Sequence, residues 1–232
     1  MKQRLPLFAV FAALLAPACV VTIDGDDADV DTLWSYDRPR LSGSGVSASQ
    51  TREVGEFRSV SVNGSGAVRV KLGEAQSLRV ITDDNLIEHV RTRVEDGALV
   101  VDWDRGSYSP KVALVVELSA PSLEAVGLGG SGDLTFTGLD AESFSASIAG
   151  SGSVNGSGKC GRLNLSIAGS GDLRVYDVVA REVEVSIAGS GSAYVHAHDK
   201  LDVSISGSGD VRYRGKPAIS RSIAGSGSVR PE

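Results

Sequence analysis

The six residues Ser-Ile-Ala-Gly-Ser-Gly occur at 147–152, 166–171, 186–191 and 222–227, and a near copy, Ser-Ile-Ser-Gly-Ser-Gly, fills 204–209. The central serines of the successive Gly-Ser-Gly triplets are Ser131, Ser151, Ser170, Ser190, Ser208 and Ser226, spaced by 20, 19, 20, 18 and 18 residues. A period of that size is one coil of a solenoid, whose units cannot bury their apolar faces alone and stack into a continuous core. An earlier, isolated copy surrounds Ser65. Another, at 156–158, falls off register and reads as an insertion within one coil.

Parity decides what the triplets do. Along 163–176, odd positions carry Leu, Leu, Ile, Gly, Gly, Leu and Val, while even positions carry Asn, Ser, Ala, Ser, Asp, Arg and Tyr. The alternation passes through the glycines without a phase break, and it does so again over 60–71, 183–198 and 201–214. Successive strand residues point to opposite faces, so both glycines belong to the inward set and the serine between them points out. The triplets therefore read as corners of the scaffold, where the coil narrows and the backbone needs angles open only to glycine. The corner glycines are Gly64 and Gly66, Gly130 and Gly132, Gly150 and Gly152, Gly169 and Gly171, Gly189 and Gly191, Gly207 and Gly209, and Gly225 and Gly227. A phosphate-cradling loop needs a helix after its glycines. Here each triplet leads into another strand, as in Asp-Leu-Arg-Val or Asp-Val-Arg-Tyr.

The residue after each triplet runs Asp133, Ser153, Asp172, Ser192, Asp210, Ser228. Coils stack about 4.8 Å apart, and like charges directly opposite one another are destabilising. Alternate serines move the carboxylates to about 10 Å apart. Charge spacing accounts for the pattern. A carboxylate row in a carbohydrate-active enzyme, with Arg174 or Arg212 as basic partner, is the alternative, since inverting glycosidases hold two carboxyls about 6.5–9.5 Å apart. Such an enzyme needs a groove and aromatic platforms, and aromatics make up only 5% of these 232 residues.

The remaining strands follow from β-branched and apolar runs at 60–72, 77–82, 98–103 and 112–118, separated by turn residues. Residues 85–95 fit a helical turn or a strand equally. The protein is expected to be all-β: a single-stranded β-helix with coils of about 18–20 residues.

The amino terminus reads as an export signal. Met-Lys-Gln-Arg is a basic start, Leu5 to Leu15 are apolar, and Ala-Pro-Ala-Cys follows at 16–19, a pattern too short for a spanning helix. Cys19 sits where a bacterial lipobox places its acylated cysteine, although Ala16 replaces the usual leucine. Cleavage after Ala18 by an ordinary signal peptidase is the alternative. Residues 1–18 are thus assigned to a signal peptide, 19–54 to an acidic, then Ser/Gly-rich tether, and 55–232 to the β-helix domain. Within that domain 55–120 is less regular and 121–232 holds the repeated coils. The aspartates at 24, 26, 27, 29 and 31 lack the glycine and glutamate of a calcium-binding loop. The formal net charge of −6 disfavours nucleic acid.

Other candidate groups are sparse. Cys160 has no partner if Cys19 is acylated, and is expected to be covered by a loop; a Cys19–Cys160 disulfide is the alternative without lipid. Tyr194, His196 and His198 share a strand face ahead of Asp199, and read as an exposed strand end without further zinc ligands. No cofactor, metal or catalytic residue is assigned.

From Phe57 onward the chain reads FRSVSVNGSGAVRVKLGEAQSLRVITDDNLIEHV, then DGALVV, then LSAPSLEAVGLGGSGDLTF. After the coils it closes with SGSGDVRYRGKPAISRSIAGSGSVR. Over roughly 55–232 this order of parts resembles the putative auto-transporter adhesin, head GIN domain family of bacterial envelope proteins. The resemblance implies a right-handed β-helix, export to the envelope and often lipidation, with no catalytic residues to carry over. The expectation is an outer-membrane lipoprotein, anchored by its lipid, whose solenoid binds a polysaccharide or envelope protein as a non-catalytic scaffold. Its C-terminal coil edge offers a route to self-association. The alternative is a pectate-lyase-like enzyme.

Overall fold

Small outward residues alternating with Val, Leu and Ile favour extended chain, because a pleated strand buries every second side chain. The computed structural model describes residues 40–232, and 72% of them lie in strands. The first nine, in chain order, are β1 (Leu41–Ser42), β2 (Ser47–Thr51), β3 (Ser59–Gly64), β4 (Ala67–Leu72), β5 (Ser77–Asp83), β6 (Val90–Glu95), β7 (Ala98–Trp103), β8 (Tyr108–Ser109) and β9 (Val115–Ala120). The solenoid continues with β10 (Ala125–Gly130), β11 (Asp133–Gly150), β12 (Ser153–Gly169), β13 (Asp172–Gly189) and β14 (Ser192–Gly207). It ends with β15 (Asp210–Arg214), β16 (Ala218–Gly225) and β17 (Ser228–Pro231).

The coils are stacked in parallel register. Gly64 pairs with Gly130, and the ladder continues through Gly150, Gly169, Gly189 and Gly207 to Gly225. The chain is a β-solenoid. Burial follows the parity of the sequence: in β13, Leu173, Val175, Val178, Ala180, Val183, Val185 and Ile187 are all buried. In β13 the phase slips once around Tyr176–Asp177 and again around Arg181–Glu182, so this coil has two further bends besides its glycine corner.

The copy around Ser65 is not isolated. Its triplet joins β3 to β4 and is the first level of the same ladder, because β3 pairs with β10 and β4 with β11. The stretch between β4 and β10 closes that end of the stack. Strands β7 and β9 add a parallel layer below β3 and β4. Beyond them the pairing turns antiparallel, with β6 on β7, β5 on β9, and β2 on β5. Residues 85–95 supply both alternatives, a single 3-10 turn at Ile87–His89 followed by β6.

Two sequence expectations need correcting. Residues 41–51, assigned to the tether, fold onto the domain: β1 pairs with β8 and β2 with β5. The buried carboxylate of Asp83 holds them, accepting from the amides of Gly45 (2.7 Å), Lys111 (2.9 Å) and Val112 (2.9 Å). Such a contact between distant segments has no local sequence signature. Second, the triplet at 156–158 marks no insertion, since β12 spans 17 residues against 18 in β11 and β13. The signal peptide, Cys19 and the aspartates at 24–31 lie outside the described residues.

Candidate functional site

The two glycines of a corner are needed for different reasons. The first has φ of +128° at Gly169 and +134° at Gly189, a region costly to any residue with a Cβ. The second is needed for space: a Cβ on Gly171 would stand 2.7 Å from Cγ2 of Ile148 and 2.5 Å from the Gly152 carbonyl oxygen. The same diagonal contact joins Gly209 to Ile187 and Gly227 to Ile205. The serine amides at the corners already donate to the preceding coil, as in Ser170 N to Gly150 O and Ser190 N to Gly169 O at 2.9 Å each. They are therefore engaged in coil stacking rather than presented to an anion.

The Asp/Ser column is in register, Asp133 beside Ser153, then Asp172, Ser192, Asp210 and Ser228. The serines do more than separate the charges. Ser153 Oγ donates to Asp133, and Ser228 Oγ to Asp210 at 2.5 Å. Arg174 takes the remaining carboxylate, Asp172, at 2.7 Å. These aspartates are partnered within the scaffold, and none of them lines the groove described next.

That groove follows from the short coil. Thr137 and Gly138 of β11 oppose the single residue Ser157 of β12, and on the other side Val175 and Tyr176 of β13 oppose the single residue Gly156. The wall is one residue short between two longer coils, which leaves a notch of about 300 Å³. Thr135, Thr137, Asn155, Ser157, Arg174, Tyr176 and Asp177 surround it, with Gly156 and Phe136 at its floor. Gly156 lacks a side chain because the Phe136 ring fills that space: a Cβ there would overlap the ring. Beyond the notch, Arg214 covers the Tyr176 ring at 4.1 Å, and Tyr194 meets the same ring edge-on at 5.6 Å.

A second polar cluster lies at the closed end. His89 Nδ1 is 3.1 Å from Asp104 Oδ2, and Tyr108 donates to Asp104 while lying 3.2 Å from His89. The Tyr108 ring stacks on Trp103 at 5.0 Å. The Tyr108 hydroxyl first, and His89 second, hold the Asp104 carboxyl below its ordinary pKa, and Asp104 in turn raises that of Tyr108. With Asp104 N bonded to His89 O at 2.9 Å, the cluster closes the β6–β7 hairpin over Trp103. Sequence reading missed it, because its members are up to 19 residues apart and no repeat marks them.

Cys160 is buried, and burial pushes its thiol up to about 11. It does not lie under a loop; it stands in a core column between Ala141 and Ala180 on the neighbouring coils. Tyr194, His196 and His198 do share a face, within the continuous strand β14 rather than at a strand end, and His198 Nδ1 lies 2.5 Å from Asp199. Among the described residues no cluster of three or more His, Cys, Asp or Glu is placed to hold a metal ion.

The model of the family described as putative auto-transporter adhesin, head GIN domain, matches residues 56–217. The chain belongs to this family. Among solved structures, a putative adhesin from Bacteroides fragilis NCTC 9343 is similar at 21% identity and a TM-score of 0.69, over 83% of this chain and 100% of that one. A putative lipid binding protein from Parabacteroides distasonis ATCC 8503 is similar at 26% identity and a TM-score of 0.57, over 83% and 99%. No match was found among curated proteins. The first likeness bears on the fold alone. Membership of the head GIN family is consistent with a non-catalytic binding module.

Proposed function

We propose that this head GIN protein is an exported, lipid-anchored, non-catalytic module that presents a rigid face to a polysaccharide or protein of the bacterial envelope. In this reading the leader is removed, Cys19 carries the lipid, and the acidic stretch before residue 40 spaces the solenoid from the outer membrane. The observation that carries it is the register: outward side chains on successive coils stand in columns about 4.8 Å apart, so the outer faces are fixed and repetitive. A surface of that kind loses little conformational entropy on binding, which favours association with another repetitive surface. The lipid-binding description of the Parabacteroides relative fits less well, because the inward columns of β11–β14 are filled with buried apolar side chains.

Palmitate labelling of the cells that make this protein, with and without globomycin, tests the anchor. The processed chain should be labelled and fractionate with the envelope. Globomycin should leave the leader attached, and Cys19→Ser should abolish labelling. An unlabelled chain cut after Ala18 and released to the medium would overturn the anchored reading.

A further inference from the structure

We propose that the notch between β11, β12 and β13 is a binding site for a neutral sugar unit of a polysaccharide, which deepens and rests on the binding-module reading above. The repeat is broken at this point in a way that makes space. One residue is missing from the middle coil relative to both neighbours, which sets its wall back between them, while Gly156 at the bottom is closed from beneath by the Phe136 ring. The resulting volume of about 300 Å³ lies at the lower end of the range for small-ligand sites, about 300–1,000 Å³.

The lining suits hydroxyl groups. Thr135, Thr137, Asn155 and Ser157 bring donors and acceptors from two adjacent coils, and among the described residues their side chains have no hydrogen-bond partner in the protein. Register fixes their positions, with Thr135 beside Asn155 and Asn155 beside Arg174. Asn155 offers both an amide donor pair and a carbonyl acceptor, the combination that vicinal hydroxyls require. Tyr176 adds an aromatic edge whose orientation is already set by Arg214 and Tyr194. A site held this way loses little freedom when a ligand arrives.

Charge separates a neutral sugar from an anion. The guanidinium at the notch, Arg174, is engaged by Asp172 at 2.7 Å, and Asp177 stands on the rim. A phosphate, sulfate or uronate would meet that carboxylate, and the one guanidinium among the lining residues is already paired. A neutral hydroxyl-rich ligand has no such penalty.

The test uses the processed full chain, isotope-labelled for amide NMR and titrated with glucose, galactose, mannose and N-acetylglucosamine. Immobilised neutral glucans and mannans, with polygalacturonate and heparin as anionic probes, form a second arm. At least one neutral sugar should shift the amides of Asn155, Ser157 and Tyr176 saturably, and Asn155→Ala should weaken that binding about fivefold to tenfold. Ser186→Ala, on an outward column away from the notch, should leave it unchanged. Because Asn155→Ala removes an outward group, its unfolding midpoint should match the parent; Ser157→Ala provides a second variant if it does not. Preference for the anionic probes, shifts confined to other residues, or no shift with any neutral sugar would overturn the proposal. A polysaccharide bound equally by parent and notch variants would sink the notch while leaving the binding-module reading intact.

Discussion

At the scale of single residues, the corner separates two requirements that look identical in sequence. Gly169 needs glycine for its positive backbone angle as well as for space, whereas at Gly171 space alone decides, because the Gly152 carbonyl oxygen and Ile148 stand where a Cβ would go. Gly171→Ala should therefore be destabilising although alanine fits that backbone: the added methyl overpacks the core, at a cost of about 1–3 kcal/mol. Ser170→Ala, one position earlier and pointing outward, should stay within about 0.5 kcal/mol of the parent. Guanidinium chloride midpoints of the two variants measure the difference. Equal midpoints would show that the second glycine is not held by the Ile148 contact. Parity alone places both glycines on the inward face, because the alternation runs through the triplet unbroken. What it leaves hidden is the partner, since Ile148 and Gly171 meet across a coil boundary and no local pattern encodes that diagonal.

Among the elements, the repeated strands were legible and the closed end was not. Strands β11–β14 each carry the same alternation and corner, so period and parity together specify coil, register and core. Strands β5, β7 and β9 read individually as strands, while β6 falls in the stretch that fits a turn or a strand equally and β8 is too short to signal itself; the pairing around them changes from parallel to antiparallel, and nothing in their composition announces that change. The notch was visible only as an off-register triplet, and reading it as an insertion took the wrong sign because length is judged against the neighbouring coils. Asp83 shows how the closed end is held. Burial pushes its pKa up, but the backbone amides of Val112, Gly45 and Lys111 outweigh that and hold it below the ordinary value. A lowered folded-state pKa gives stability that is present above the unfolded value of about 3.9 and is lost as pH falls through the folded pKa. Acid should thus release the 41–51 segment before it disturbs the coils. Brief pepsin digestion across pH 2–5 is expected to cut first between residues 40 and 56, increasingly below pH 4, and Asp83→Asn should show that cleavage throughout the range. Simultaneous cleavage in β12 or β13 would mean that Asp83 does not set the order of unfolding.

For the whole molecule, a solenoid must deal with its exposed strand edges. Layers β5–β9 cover one end of this stack, whereas at the other β16 pairs with β14 and β17 with β15. Among the described residues nothing pairs with their far sides, and Ile219 and Ile223 are 43% and 36% exposed there. Such an edge is a template for another copy. Its inward columns show how pairing is opposed. The column that runs Ala146, Leu165, Val185 and Val203 through the core arrives at Arg221 on β16. A two-fold pairing of β16 with its copy runs antiparallel and centres near this position, where it sets two guanidinium groups against each other. Continuing the column with an apolar residue removes that repulsion and extends the hydrophobic strip between Ile219 and Ile223. Arg221→Val should accordingly shift the protein from monomer toward dimer at micromolar concentration, as seen by sedimentation velocity, whereas Arg221→Lys should not. A parent that is already dimeric, or an Arg221→Val variant that stays monomeric at every concentration, would show that the edge is controlled by something other than the charge at this position.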